Sequence, residues 1–458
     1  MNRRHFLAHA AAGLAGINLL PALSAAEKAP PAKAVRQPRI LLRGSWQSVN
    51  IGDIGHTPGA MRLIEKYFPE AEVTLWHGTL GHGSDEFLKR AFPRLKFVSG
   101  AVGADGKPTT PALMAAWDDH DFMLHGSGSG FGARAQLASW HRATAKPFGV
   151  FGVSDDPISG FGPGRDPEGG SLAALRAAAR KLPPTHLDAE TRWIVERSSF
   201  MFTRETLTRD FYVAQGVRAP ILEFGPDAQL GMSDRDDARG AAYLKTHGLA
   251  DGRFICVIPR LRYTPYYRMG TAKRVANDDI KDALNARWKE RDSEKLRDLI
   301  VRYVRATGNK VLACAEVTYQ IELAKEMLFD PLPADVRKNV VWRDSFWLPD
   351  EAAAIFARAE ALVCMDCHSP LIAYHHGTPA FYVRNATDTW KGQMYADIGV
   401  ADWLFEADAT SGEELWSRLA PLHADPAKAR ARVKAVMAGV EKVQRRMVEA
   451  LQHAVRGV

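Results

Sequence analysis

Two successive α/β units, each a parallel sheet flanked by helices, are what this sequence predicts. Three observations carry that prediction. Short apolar runs recur through residues 39–224 with helical stretches between several of them, the βαβ rhythm of a doubly wound sheet. The runs are continuously apolar, as in strands buried on both faces. The plan then starts again at Phe254.

The chain begins with Asn2-Arg3-Arg4-His5-Phe6-Leu7, a twin-arginine n-region. The apolar stretch Ala10–Leu23 follows, then the small residues Ser24-Ala25-Ala26. This pattern predicts a cleaved Tat signal over 1–26, since the run is short for a bilayer span and has no stop-transfer flank. The Tat export machinery is then a partner, the destination is the periplasm or cell envelope, and no stable membrane insertion is expected after cleavage. Residues 27–38, rich in Ala, Pro and Lys, read as a linker.

With 46% hydrophobic and 25% charged residues, the body has globular composition. The net charge of +7 includes Arg3 and Arg4, and no aromatic-studded basic run exists. The balance therefore suits small anionic ligands and excludes a nucleic-acid partner. Cys256, Cys314 and Cys364 fall inside predicted strands. Cys364 and Cys367 have C-x2-C spacing, but neither a second pair nor a histidine arm accompanies them, so no metal is expected.

The first unit, residues 39–235, opens with a strand at Arg39–Gly44. A polar loop follows, and Thr57-Pro58 reads as the N-cap and first position of a helix to Tyr67. A strand, a glycine-containing loop and a helix N-terminus make an anion cradle. Further strands are expected at Glu72–Trp76, Leu95–Val98, Phe122–His125, Pro147–Gly152, Phe200–Thr203 and Ile221–Phe224. Gly126 and Gly128, after the fourth strand, would let backbone approach a ligand closely. Gly160–Gly170, rich in Gly and Pro, reads as a mobile surface loop.

The second unit, residues 236–408, has expected strands at Phe254–Pro259, Lys310–Ala315, Val340–Trp342, Ala361–Met365 and Ala380–Val383. Helices are expected at Ser293–Ala306, stopped by Gly308, at Asp350–Arg358 and at Pro370–His376. Residues 409–458 read as helical. A stripe of Val433, Val436, Met437, Val440, Val443, Met447 and Leu451 should dock the last helix onto the body. The strand at Ala361–Met365 delivers Asp366, Cys367, His368 and Ser369 to the sheet edge where ligands bind in open parallel sheets.

That block resembles polysaccharide pyruvyl transferases, whose motif reads Met-Arg-Leu-His-Ser. Here it is Met365-Asp366-Cys367-His368-Ser369, followed by Gly377-Thr378-Pro379 and Trp390-Lys391-Gly392. Asn50-Ile51-Gly52-Asp53 is similar to the family's opening Gly-Asn-x-Gly-Asp loop. Residues 122–130, Thr203-Arg204-Glu205, Gly216-Val217 and Gly225-Pro226-Asp227 follow in the family's order. The resemblance implies two Rossmann-like domains facing across a cleft, the GT-B-like architecture. It also implies transfer of a pyruvyl group from phosphoenolpyruvate, the donor substrate, to a cell-envelope glycan, with no further cofactor.

Such chemistry needs cations for a phosphate and a carboxylate, and an acid for the enol carbon or the leaving phosphate. His368 is the expected acid. Arg260 and Arg262 are the expected anion clamps, and Asp53 or Glu316 the group that orients or deprotonates a sugar hydroxyl. Asn50, Gly52, Gly126, Gly128, Asp366, Ser369 and Lys391 complete the expected substrate-binding set. Asp366 replaces the family's arginine, and a negative charge there repels a carboxylate. Sugar transfer from another activated donor on the same scaffold, or a glycan-binding protein without turnover, are therefore the alternatives.

Overall fold

Order reverses once in each of two all-parallel sheets, and those two reversals place everything that follows. In the computed structural model the described residues are 36–457, except 129, 162 and 163. The first sheet contains β1 (Arg39–Gly44), β2 (Glu72–His77), β3 (Lys96–Val98), β4 (Phe122–His125), β5 (Phe148–Val153), β6 (Met201–Thr203) and β7 (Leu222–Phe224), ordered β3-β2-β1-β4-β5-β6-β7. The second contains β8 (Phe254–Ile258), β9 (Lys310–Ala313), β10 (Val340–Trp342), β11 (Ala361–Cys364), β12 (Ala380–Arg384) and β13 (Leu404–Glu406), ordered β10-β9-β8-β11-β12-β13. The reversals lie between β1 and β4 and between β8 and β11, the topological switch points at which doubly wound sheets bind ligands.

The apolar runs are continuous because both faces are covered. In β1, Ile40 and Leu42 enter one core cluster and Leu41 the opposite one. The three-residue β13 has no counterpart in the sequence-based reading. All four cysteines are free and buried.

The helix after β1 starts earlier than expected, at Ile51, and runs to Tyr67. Its cap is Asn50, whose side chain accepts from the Gly52 N–H at 2.7 Å. Thr57 does not cap. Its hydroxyl accepts from the Ser45 N–H at 2.9 Å and fixes the strand-to-helix loop. Pro58 thus lies inside the helix, where a missing N–H ordinarily costs about 3 kcal/mol. The long helix expected from Ser293 in fact runs Asn277–Thr307. Its first half is largely charged and exposed, so it carries little apolar periodicity. Gly308, at φ 68°, ends it in the left-handed conformation that favours glycine.

In the Gly/Pro-rich stretch after β5, expected to be a mobile surface loop, residues 167–169 bond or pack against the second unit. Pro167 O accepts from Tyr263 Oη at 2.6 Å, and Glu168 accepts from Trp288 Nε1 at 2.7 Å and Arg287 Nη1 at 3.0 Å. Gly169, at φ 78°, lies so close to Ala386 O that a Cβ would overlap it.

Asp425 caps the last helix, Pro426–Arg456, accepting from the Lys428 N–H at 3.0 Å. Its 31 residues span about 46 Å. Val433 and Val440 enter the core of the second sheet, while Met447, Val448 and Leu451 enter that of the first. Among the described residues no helix is long and apolar enough to cross a membrane. The twin-arginine segment and most of the expected linker lie outside the described residues.

Candidate active site

Backbone joins the loop after β1 to the loop after β9, and the candidate site is built around that junction. Asn50 forms an antiparallel bridge with Val317. Ile51 N donates to Glu316 O, and Thr318 N to Val49 O, both at 3.0 Å. The loop after β1 is thereby held against the loop after β9. The first turn of the Ile51–Tyr67 helix reaches the residue that follows β11, His368. Only glycine permits this approach: a Cβ on Gly52 would overlap the His368 imidazole.

Two buried histidines meet here, each held from behind by a buried carboxylate. His368 Nδ1 lies 3.1 Å from Glu316 Oε1, and the other Glu316 oxygen accepts from Ser369 N and Ser369 Oγ, both at 2.7 Å. His56 Nδ1 lies 2.8 Å from Asp227 Oδ1, and Arg204 Nη1 donates to Asp227 Oδ2 at 3.1 Å. The two imidazoles are perpendicular with centroids 5.0 Å apart. Asp53, one turn before His56, puts Oδ1 3.7 Å from His56 Nε2. His56 is 1% exposed and His368 4%.

Electrostatics follow from this pairing. Burial opposes charge on His368, but Cys367 and Glu316 outweigh it and hold the imidazole well above its ordinary pKa. Burial likewise opposes charge on His56, and Asp227 overcomes it, raising that pKa. Burial would raise Glu316, Asp53 and Asp227, yet the histidines and their neighbours hold all three below the usual carboxylate range.

Beside this pair stands an ion cluster set by strand register. Cys364 pairs with Ile258 across β11 and β8, so Asp366 and Arg260, each two residues further on, lie side by side. Asp366 Oδ1 is 3.1 Å from Arg260 Nε. Arg260 also donates to Asp388, which accepts from Tyr382 Oη at 2.6 Å and lies 3.2 Å from Lys391 Nζ. Gln320 donates to Asp366. Burial, with Glu316 nearby, pushes the Asp366 carboxyl up to about 6 against the pull of Arg260 and Lys391. An arginine is thus held beside the position where the family motif has its own.

Other expected site residues fall elsewhere. Arg262 is paired with Asp292 at 2.9 and 3.1 Å and with Asp408, and stacked over Trp288 at 4.2 Å. Asp292 and Asp408 thus engage Nε and Nη2 of the expected anion clamp. Gly126 and Gly128 bring backbone close to protein groups: Gly126 N donates to Arg43 O at 2.9 Å, and Trp46 Nε1 donates to Ser127 O at 2.7 Å. Asn50 serves as the helix cap, Glu316 holds His368, and Ser369 donates to Glu316. An open cleft of about 550 Å³ is lined by Trp46, Gln47, Ser48, His82, Tyr266 and Met269 among others. His368 and Asp53 do not line it. Gln47, which donates to Asp53 and to Tyr266 Oη, stands between.

His56 escaped the sequence reading, and Asp227 entered it only as part of the Gly225-Pro226-Asp227 motif, without a site role. The signal for His56 was its spacing from Asp53, i and i+3 on one helix face. Taking Thr57-Pro58 as the helix start concealed it by placing His56 in a loop.

Two Rossmann-like sheets, with a histidine from one unit meeting a helix N-terminus of the other, define a GT-B-like protein. Solved structures agree on the fold. A UDP-N-acetylglucosamine 2-epimerase is 14% identical with TM-score 0.52, covering 91% of this chain and 96% of its own. The Neisseria meningitidis UDP-GlcNAc 2-epimerase bound to UDP-GlcNAc is 11% identical with TM-score 0.51, covering 91% and 99%. Anabaena Alr3699/HepE in complex with UDP-glucose is 10% identical with TM-score 0.51, covering 90% and 99%. No curated protein matches the sequence. The family model for polysaccharide pyruvyl transferase matches residues 50–387, and the chain belongs to that family.

Proposed function

We propose that this protein transfers a pyruvyl group from phosphoenolpyruvate to hydroxyls of a cell-envelope glycan, after Tat-dependent export. The observation that carries the reading is the His368–Glu316 pair set against the Ile51–Tyr67 helix N-terminus. A helix N-terminus favours anions, and a histidine held protonated is suited to donate a proton as phosphate leaves. Glu316 orients the ring, and Arg260 with Lys391 supplies positive charge nearby. Incubation with labelled phosphoenolpyruvate and envelope glycans should release phosphate and form a ketal, and His368→Ala should not. No release with any glycan, from a folded protein, would reject the activity. Export is checked separately: Arg3→Lys with Arg4→Lys should leave the precursor in the cytoplasm, and unchanged periplasmic accumulation would reject it.

One observation favours glycan binding without turnover: His368 and Asp53 lie behind Gln47 and Tyr266 rather than in the open cleft. On that reading glycan binds with no phosphate release, and His368→Ala leaves its affinity unchanged.

A further inference from the structure

His56 has no part in the transfer proposed above, yet it is built into the site with care. We infer that Asp53, His56 and His368 form a divalent transition-metal site, with Zn²⁺, Mn²⁺ or Co²⁺ held by a carboxylate oxygen and two Nε2 atoms. One ligand-bearing atom from each residue lies within 4.8 Å of the others. About 3.4 Å separates neighbouring ligands in a tetrahedral site with bonds of ~2.1 Å. The 3.7 Å between His56 Nε2 and Asp53 Oδ1 needs only slight closure.

Three further observations point to a cation. Both Nε2 atoms are buried, and among the described residues neither has a hydrogen-bond partner, an arrangement that costs free energy unless something occupies the space between them. Each Nδ1 is held by a buried carboxylate, Asp227 behind His56 and Glu316 behind His368. That backing fixes tautomer and ring direction, as it does behind histidines that ligate metals. Finally, Asp53, Asp227 and Glu316 place three buried carboxylates here, while among the described residues Arg204 alone of the permanent cations bonds to one of them. Two imidazole protons or one divalent cation would make up the difference.

Two imidazoles and one carboxylate suit borderline cations and leave a coordination position open. Mg²⁺ and Ca²⁺ prefer all-oxygen sets. Gln47, between Asp53 and the cleft, is the side chain a cation would have to displace on entry. Cation and proton are alternative occupants of His368 Nε2, so the loaded site has no proton to give. Only the inhibition this implies rests on the transferase reading.

The test uses the full chain, stripped with chelator, titrated calorimetrically with Zn²⁺ and by visible absorption with Co²⁺. One equivalent should bind, with the intense Co²⁺ bands of a four-coordinate site. Asp53→Asn, His56→Gln and His368→Gln should each weaken binding at least ~10-fold. Asp227→Asn, removing a backing carboxylate, should weaken it by about 10–100-fold, and His375→Ala should not change it. Absence of saturable binding, or equal affinity in the three ligand variants, would overturn the site. Should one variant fail to fold, the other two and the Co²⁺ spectrum decide. If one equivalent binds and depends on these residues while phosphoenolpyruvate is never turned over, the site stands and the transferase reading falls. If turnover occurs and Zn²⁺ never binds, the reverse holds.

Discussion

Gly52 and His368 touch across the two units, the first turn of one helix lying directly on the imidazole that follows β11. A methyl group at Gly52 has no room without moving the ring or the helix. Gly52→Ala should therefore lower stability by about 1–3 kcal/mol, the usual cost of overpacking. Gly439, in the last helix with nothing near its missing Cβ, is the contrast. Gly439→Ala should stabilise by up to about 1 kcal/mol. Denaturant melts of both variants check this, and a neutral Gly52→Ala would show that the units are not in tight contact.

His368→Ala should cut phosphate release by about 10²–10⁴-fold, the range for a lost general acid. Glu316→Gln gives a sharper reading. A proton donor must be protonated, so activity is lost as pH rises through the pKa of His368. Glu316 helps hold that pKa up, so its removal should move the alkaline loss of kcat to lower pH. A profile that merely drops, without shifting, would assign Glu316 a structural role only.

Asp366→Asn, nearly isosteric, removes one of two carboxylates on Arg260. If phosphoenolpyruvate is the donor, the freed guanidinium should lower KM for it several-fold. Abolished activity would mean that Asp366 serves a different reaction, such as sugar transfer from another activated donor.

Glu205 tests the buried electrostatics away from the reacting groups. It accepts from Ser154 Oγ at 2.6 Å and bonds to Thr208, and burial pushes its pKa from 4.5 to about 7 despite Arg204. The folded state thus favours the protonated form. Between pH 4.5 and about 7 the unfolded chain binds fewer protons, so this group's contribution falls as pH rises and levels off above 7. Glu205→Gln should remove that slope and stabilise at pH 8 by about 1–3 kcal/mol, with little change at pH 4.5. Thermal melts across that range check it.

Much of the scaffold was legible because its signals are local. Runs such as Ala361–Cys364 and Phe254–Ile258 are apolar throughout, and strands covered on both faces must be. Gly308 and Asp425-Pro426 mark helix ends by backbone conformation, which neighbouring residues determine. The family motif put His368 at a strand end. Where a competing local signal was stronger, as at Thr57-Pro58, the boundary and with it His56 were misplaced.

By itself the sequence determined two parallel αβ units, their family and the histidine at the end of β11. Periodicity, turn residues and motif order are properties of short segments, and these suffice for all three. The strand-end position already set His368 facing the Asn50–Asp53 loop, but tertiary structure alone decided which side chains hold it. Glu316, Asp227 and His56 come from three separate segments, and only packing of the two units brings them within 3–5 Å. It also decided which arginine stays near the site. Arg260 and Arg262 both follow β8 and look equivalent in sequence. The Cys364–Ile258 register sets Arg260 beside Asp366, whereas Asp292 and Trp288, on a helix thirty residues away, hold Arg262 elsewhere. Charges separated by such distances in sequence find one another only after folding, so no local pattern records their pairing.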